Sequence, residues 1–176
     1  MPDLPRTPAR IAVADPARLD DCRTLWLSLR DHHGGTDPGL GPVREDADSW
    51  ARARAEWGAS IGTPDGFLVL AEADGESADA PLGCAFVSIK QGSPTWTAAD
   101  RFGEVDVLAV APGARGLGLG AGLLRVVQEE LDRRDAGEIR LVVTAGNVGA
   151  QAFYRELGFE TFAHVLRRPA PRPPAG

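Results

Sequence analysis

Four glycines at alternate positions, Gly116, Gly118, Gly120 and Gly122, constrain this chain more than any other feature. They lie in segment 111–122 (APGARGLGLGAG). The preceding residues 103–110 (GEVDVLAV) read as a strand. After the glycines, Leu117, Ala121, Leu124, Val127 and Leu131 recur every three or four residues, which marks one face of a helix running to about Arg134. A glycine costs a helix up to about 1 kcal/mol relative to alanine, so four in the first turns need a reason. One reason is chemical. The first N–H groups of a helix lack intrahelical acceptors, the helix dipole adds partial positive charge, and missing side chains let an anion approach the backbone. Such a corner suits a pyrophosphate, and Arg115 adds a full charge with a planar donor fork. The other reason is close packing. The strand before and the helix after favour the phosphate reading.

Several ligand classes use such a corner. A nucleoside-triphosphate loop requires Gly-Lys-Ser/Thr, and the chain has no Gly-Lys pair. A dinucleotide fingerprint is matched formally by Gly116, Gly118 and Ala121. It needs an acid at the end of the next strand to hold a ribose hydroxyl, and that strand ends Val143-Thr144-Ala145-Gly146.

The rest of the chain alternates in period. Residues 10–14 (RIAVA) form a strand candidate. Asp15-Pro16 then pairs an N-cap with a proline at the first helical position. Leu19, Cys22, Trp26 and Leu29 form that helix's buried stripe, which runs out near His32-His33-Gly34-Gly35 into a loop over 34–42. A second helix spans about 45–61, with Trp50, Ala53, Trp57 and Ile61 inward. Gly66–Ala73 and 82–90 read as an antiparallel hairpin around a polar turn at 74–80. Residues 138–145 (EIRLVVTA) have an unbroken apolar centre, which predicts a strand buried on both faces. Residues 147–157 form a helix that ends at Gly158, with Phe159 as its hydrophobic follower. Residues 160–166 close with a final strand. The order is β-α-α-β-β-β-α-β-α-β. It predicts an α/β (α+β) mixed sheet with helices on both faces and one right-handed parallel crossover.

The 176 residues suit one domain over 9–168, with disordered ends at 1–8 and 169–176. At 43% hydrophobic and 25% charged the chain has ordinary globular composition. No apolar run approaches the roughly 18 residues of a membrane span, and the first residues carry no apolar leader core. A cytoplasmic protein without membrane attachment is expected. Lys and Arg total 19 against 25 Asp and Glu, a net charge of −6, which argues against a nucleic-acid partner. Cys22 and Cys84 sit in apolar segments and read as small core residues.

Arg115-x-x-Gly118-x-Gly120, following Leu108-Ala109-Val110, resembles the pyrophosphate loop of the GCN5-related N-acetyltransferases, the GNAT family. A second family signature is also present: Asn147-x-x-Ala150-x-x-x-Tyr154-x-x-x-Gly158-Phe159, directly after a strand. The resemblance covers roughly residues 9–166. It implies a GNAT-like fold with a splayed parallel strand pair in a mostly antiparallel sheet. It also implies acetyl-CoA as cosubstrate, no metal, and direct acetyl transfer to a primary amine of a small-molecule or peptide acceptor. A noncatalytic acyl-CoA-binding regulatory module is the alternative. The family admits a homodimer, and the oligomeric state stays open.

By that resemblance, Leu108, Ala109 and Val110 lie along the pantetheine arm, and a backbone N–H of Val110 or Leu108 stabilises the oxyanion. The amides of Gly116, Leu117, Gly118, Leu119, Gly120 and Ala121 hold the pyrophosphate. Asn147 contacts the cofactor arm or serves as an ordinary N-cap. Tyr154, the single tyrosine, gives a proton to the departing thiolate or packs in the core beside Phe153. Ala150 shares its helix face. Glu104 and Asp106, two apart on a strand and so on one side, are candidates for the base or a solvated strand face. The acceptor pocket is expected to draw on Trp26, His32, His33, Trp50 and Trp96. The two histidines can also be read as polar loop residues, and without a third ligand they make a poor zinc site.

Overall fold

The computed structural model describes residues 9–74, 80–96 and 99–168. Five strands lie side by side in sequence order: β1 (Ala9–Ala14), β2 (Gly66–Ala73), β3 (Gly83–Gln91), β4 (Arg101–Val110) and β5 (Glu138–Arg140). The first four pair antiparallel, and β4 pairs parallel with β5. Four helices cover the sheet: α1 (Arg23–Thr36), α2 (Asp46–Gly58), α3 (Leu119–Arg133) and α4 (Val148–Glu156). This is the mixed α/β sheet expected from the sequence. The two chain ends expected to be disordered, 1–8 and 169–176, lie outside the described residues, as does 75–79 of the β2–β3 turn.

Side chains alternate across the sheet and supply two cores. Phe67, Val69, Ala71, Ala85, Val87 and Ile89 meet α3 through Leu119, Leu123, Val127 and Leu131. Leu68, Leu70, Cys84 and Phe86 face the other way, onto Leu19, Cys22, Leu25, Trp50 and Trp57. Strands sandwiched in this way bury both faces, which is why β2 and β3 read as nearly continuous apolar runs. Both cysteines are free and buried in the second core.

The helix ends follow their caps. Asp15 accepts a hydrogen bond from Ala17 N–H at 2.8 Å ahead of Pro16, and the chain makes a 3-10 segment, Pro16–Cys22, before α1 begins. Helix α1 runs further than its glycines suggest, so His32 and His33 are helical and not loop residues. The Thr36 hydroxyl donates to the His32 and His33 carbonyls (3.1 and 3.2 Å), and Asp37 N–H donates to His33 O (2.9 Å). These bonds satisfy last-turn carbonyls that glycine leaves exposed to water. Helix α4 ends as expected at Gly158, whose φ of 89° suits glycine. Gly158 N–H donates to Arg155 O and Phe159 N–H to Tyr154 O, both at 3.0 Å, a Schellman closure.

Expectation and structure also part in segments 138–145 and 160–166. Strand β5 pairs only over Glu138–Arg140, and Val142 is 71% exposed, so segment 138–145 is not buried on both faces. An apolar run signals burial only where a second layer covers it, and none of the described residues covers Val142. Residues 160–166 carry strand-like alternation but form no ladder, and Phe162 is 78% exposed. The Arg140 guanidinium lies 4.7 Å from the Phe162 ring centre. Strand propensity alone supplies no ladder partner. Among the described residues, therefore, the last expected strand is absent.

Candidate active site

The glycine-rich corner resolves into two jobs. Gly116 and Gly118 have φ of 77° and 78°, the left-handed region that side chains rarely adopt, and they turn the chain from β4 into α3. Gly118 is the N-cap, and no side chain caps the helix there. Gly120 and Gly122 serve packing. A Cβ on Gly120 would stand 3.0 Å from Phe153 Cζ of α4, and one on Gly122 only 2.5 Å from Ile11 Cδ1 of β1. Both explanations of the glycines therefore apply, at different positions. Because α3 starts at Leu119, Leu117 belongs to the exposed loop and not to the helix's apolar face.

Gly122 is the first residue of this helix whose N–H finds a backbone acceptor, Gly118 O at 3.0 Å. The amides of Leu119, Gly120 and Ala121 ahead of it have no backbone acceptor among the described residues. Arg115 stands beside them, its Nε donating to Val110 O at 3.4 Å. That is a donor set for a diphosphate: three convergent N–H groups, the positive end of a 15-residue helix, and a guanidinium.

The corner opens onto an unpaired strand edge. Strand β5 pairs with β4 only at Phe102–Glu104, so residues 105–110 have, among the described residues, a strand neighbour on one side alone. Leu108 and Val110 pack toward α3, and Ala109 toward α1 and α2. An edge of this kind accepts an extended amide chain through backbone hydrogen bonds.

Midway along β4 the register shifts. Phe86 pairs with Val107, and Val87 pairs with Val105, leaving Asp106 as the extra residue of a bulge. Val105 packs in the α3 core and Val107 in the α1/α2 core. Asp106 turns to the α1/α2 side, where Ser88 Oγ donates to its Oδ2. Glu104, the register partner of Ser88, lies on the same side. Asp106 is exposed, and partial loss of water around its carboxyl raises its pKa above the usual carboxylate value. The Ser88 hydrogen bond opposes that shift. The charge of Glu104 raises the pKa, that of Lys90 lowers it, and that of Glu56 on α2 raises it again.

Helix α4 supplies the remaining candidates. Asn147 is 8% exposed, and its Oδ1 accepts from Ala150 N–H at 3.1 Å, so it is an N-cap. The Tyr154 ring stacks edge-on between Phe153 (5.1 Å) and Phe159 (5.4 Å). Burial pushes its phenol up to about 12. The end of α1 closes on the turn before α4: a Cβ on Gly146 would meet Thr36 O at 2.2 Å, so only glycine fits. His33, one turn earlier, has its pKa lowered by burial first and by His32 second. The two imidazoles are 6.2 Å apart.

The structure thus gathers the corner, the β4 edge, α4 and the end of α1 around the C-terminal ends of β4 and β5. Trp26 stacks edge-on with Trp57 at 4.9 Å, and its Nε1 is buried without a hydrogen-bond partner among the described residues. Trp50 is buried in the same core. Trp96 is not brought into this group. It stands 72% exposed in the β3–β4 loop, at the other end of β4 from the glycine corner. Sequence reasoning did not find Ser88, Glu56 or the bulge. The alternation Cys84, Phe86, Ser88 on one buried face was the available signal. A cavity of about 250 Å³, lined in part by Pro16, Phe67 and Arg134, lies by the far end of α3 and is remote from these residues. No group of three or more His, Cys, Asp or Glu that could hold a metal occurs among the described residues. No helix among them is long and apolar enough to cross a membrane.

A model of the acetyltransferase (GNAT) family matches residues 24–159. The mycothiol acetyltransferase of Frankia casuarinae is 33% identical over 180 residues, covering 100% of this chain and 48% of that protein. The chain spans about half the length of the curated relatives it matches. A mutant protein from Bacillus halodurans superposes with a TM-score of 0.72 at 14% identity, covering 92% of this chain and 99% of the other. The aminoglycoside 6'-N-acetyltransferase of Acinetobacter haemolyticus gives a TM-score of 0.64 at 18% identity, covering 93% and 99%. At such identities these two structures speak to the fold alone.

Proposed function

The chain belongs to the GNAT acetyltransferase family, and we propose that it transfers acetyl from acetyl-CoA directly to a primary amine of a small-molecule or peptide acceptor. The observation that most supports this is the row of amides at Leu119, Gly120 and Ala121, which have no backbone acceptor among the described residues and are continuous with the open edge of β4. The donors fit a diphosphate, and the edge fits the amide-bearing arm attached to it.

Acetyl-CoA supplies an acetyl group activated as a thioester. The amides of 116–121, with Arg115, hold the diphosphate. Leu108, Ala109 and Val110 offer backbone groups to the arm, and an N–H at Leu108 or Val110 meets the carbonyl oxygen as it gains charge. Tyr154, held neutral by burial, donates its proton to the departing sulfur. Glu104 or Asp106 takes a proton from the acceptor ammonium, which cannot attack while its nitrogen lone pair is protonated. Asn147 holds the α4 N-terminus in place through its cap, and Ala150 gives the Tyr154 face a small neighbour. The α1/α2 side, with Trp26, His32 and His33, receives the acceptor.

Thermal denaturation with CoA, and separately with NAD, is the first test. At 100 times its Kd a ligand stabilises by about 2.7 kcal/mol, roughly 5–10 °C for a domain of this size. CoA is expected to raise the midpoint and NAD to leave it unchanged; the reverse result overturns the reading. Thiol release from acetyl-CoA across an amine panel then tests turnover. Stabilisation by CoA with no release for any amine favours the noncatalytic module.

A further inference from the structure

We propose that Ser88 is a positioning residue for the reaction, orienting the Asp106 carboxylate so that Asp106, and not Glu104, is the group that deprotonates the acceptor. The inference rests on the acetyltransferase reading and goes beyond it in naming one base and the residue that directs it.

Three observations carry it. Alternation holds from Glu104 to Asp106 and breaks between Asp106 and Val107, so Asp106 is the extra residue of the bulge, on the α1/α2 side and without a register partner on β3. Bulges are over-represented beside active sites. Ser88 is itself only 6% exposed, fixed on β3 between strands paired on both sides, and its hydroxyl donates to Asp106 Oδ2. A buried hydroxyl on an otherwise apolar face needs such a partner. Glu104 lies directly across from Ser88 in register, yet the hydrogen bond goes to Asp106.

The bond has two consequences. It occupies one carboxylate oxygen and so fixes the direction of the other, Oδ1, toward the acceptor. It also stabilises the ionised form against the loss of water and against the charges of Glu104 and Glu56, with Lys90 acting in the same sense as Ser88. Asp106 is therefore more basic than a solvated aspartate, and the Ser88 bond moderates that rise. The acceptor ammonium gives one proton to Asp106 Oδ1 and keeps the nitrogen lone pair for the C–N bond. The C–S bond breaks as Tyr154 gives its proton to the sulfur; the nitrogen, cationic once the C–N bond has formed, sheds its second proton to the Tyr154 phenolate through water, and Asp106 releases the first to solvent.

The test compares wild type, Ser88→Ala and Ser88→Thr. Carbon-13 titration of Asp106 is followed in chains labelled at the aspartate carboxyl, and Asp106→Asn assigns the signal. The acidic limb of thiol release from acetyl-CoA is followed with the best amine of a panel, and CoA affinity by calorimetry. Ser88→Ala is expected to raise the Asp106 titration by about one pH unit and to move the acidic limb with it, while CoA affinity is unchanged. Ser88→Thr, which keeps the hydroxyl, is expected to restore both. An unmoved titration in Ser88→Ala, failure of Ser88→Thr to restore it, or an acidic limb that ignores the shift overturns the proposal and leaves CoA binding intact. Absence of CoA binding in all three forms defeats the underlying reading instead.

Discussion

Replacing Gly118 separates backbone strain from charge at the proposed diphosphate site. Gly118 has φ of 78° and ψ of 0° and is the residue immediately before the first unpaired amide. Any L side chain there pays about 1–2 kcal/mol for the left-handed conformation. For a chain of this length that lowers the melting midpoint by roughly 2–8 °C. Gly118→Ala carries only this cost. Gly118→Asp carries a similar cost, somewhat reduced because aspartate tolerates this region better, and adds a carboxylate at the helix N-terminus. Repulsion between unit charges about 4 Å apart lies between about 1 kcal/mol in water and about 4 kcal/mol near a protein surface. A middle value of about 2 kcal/mol corresponds to a roughly 30-fold rise in Kd. Isothermal titration with CoA is the assay, run at low and high salt. Gly118→Ala is expected to bind within about threefold of wild type, and Gly118→Asp about 30-fold more weakly, with the gap narrowing as salt screens the pair. Equal affinities for the two variants would show that no phosphate lies near these amides.

Other expectations follow from the same geometry. Tyr154→Phe lowers turnover while leaving CoA affinity unchanged, measured by thiol release and titration; an equal kcat removes the phenol from the chemistry. The phenol, raised from 10.0 to about 12, keeps its proton in the folded chain after an unfolded chain has lost it. Stability therefore falls as pH rises through that window, and urea midpoints should fall less steeply with pH in Tyr154→Phe. Gly120→Ala forces a Cβ to 3.0 Å from Phe153 Cζ and should cost roughly 1–3 kcal/mol; adding Phe153→Leu should recover part of the midpoint, and no recovery would place the strain elsewhere. Cys22 and Cys84 are buried, and the Cys84 thiol is pushed well up by its hydrogen bond with Cys22 and by burial. Both should resist a thiol reagent in the native protein and react in urea; fast native labelling contradicts their burial.

The sequence revealed most where a residue's local chemistry decides its structure. Asp15-Pro16 is an N-cap in any context that permits a helix, and Gly158 closes α4 because left-handed backbone suits it. The paired strands β2 and β3 were legible because both faces are covered, so composition and burial agree. Legibility failed where partners decide. Segment 138–145 is apolar enough for a buried strand, but after Arg140 it no longer pairs with β4, and Val142 meets water. Helix α1 continues through Gly34 and Gly35 because Thr36 and Asp37 satisfy its last carbonyls, a tertiary and capping outcome that propensity ranks poorly. The site shows the same division. The amides of 119–121 could be inferred from glycine spacing and helix polarity. Glu104 and Asp106 share one side, as their spacing of two implies. The bulge that follows, which puts Val107 on that side as well, shows only in the register with β3. Trp96 is a pocket candidate for its place in the loop before β4, and that loop sets it, 72% exposed, at the end of β4 away from the glycine corner.

Amide hydrogen exchange read residue by residue, with and without saturating CoA, tests the central claim most directly. If a diphosphate seats on the α3 N-terminus, the amides of Leu119, Gly120 and Ala121 should change from fast to protected on binding, while the far end of the helix near Arg133 keeps its free-state rate. Saturable CoA binding that leaves those three amides exchanging freely would contradict the account.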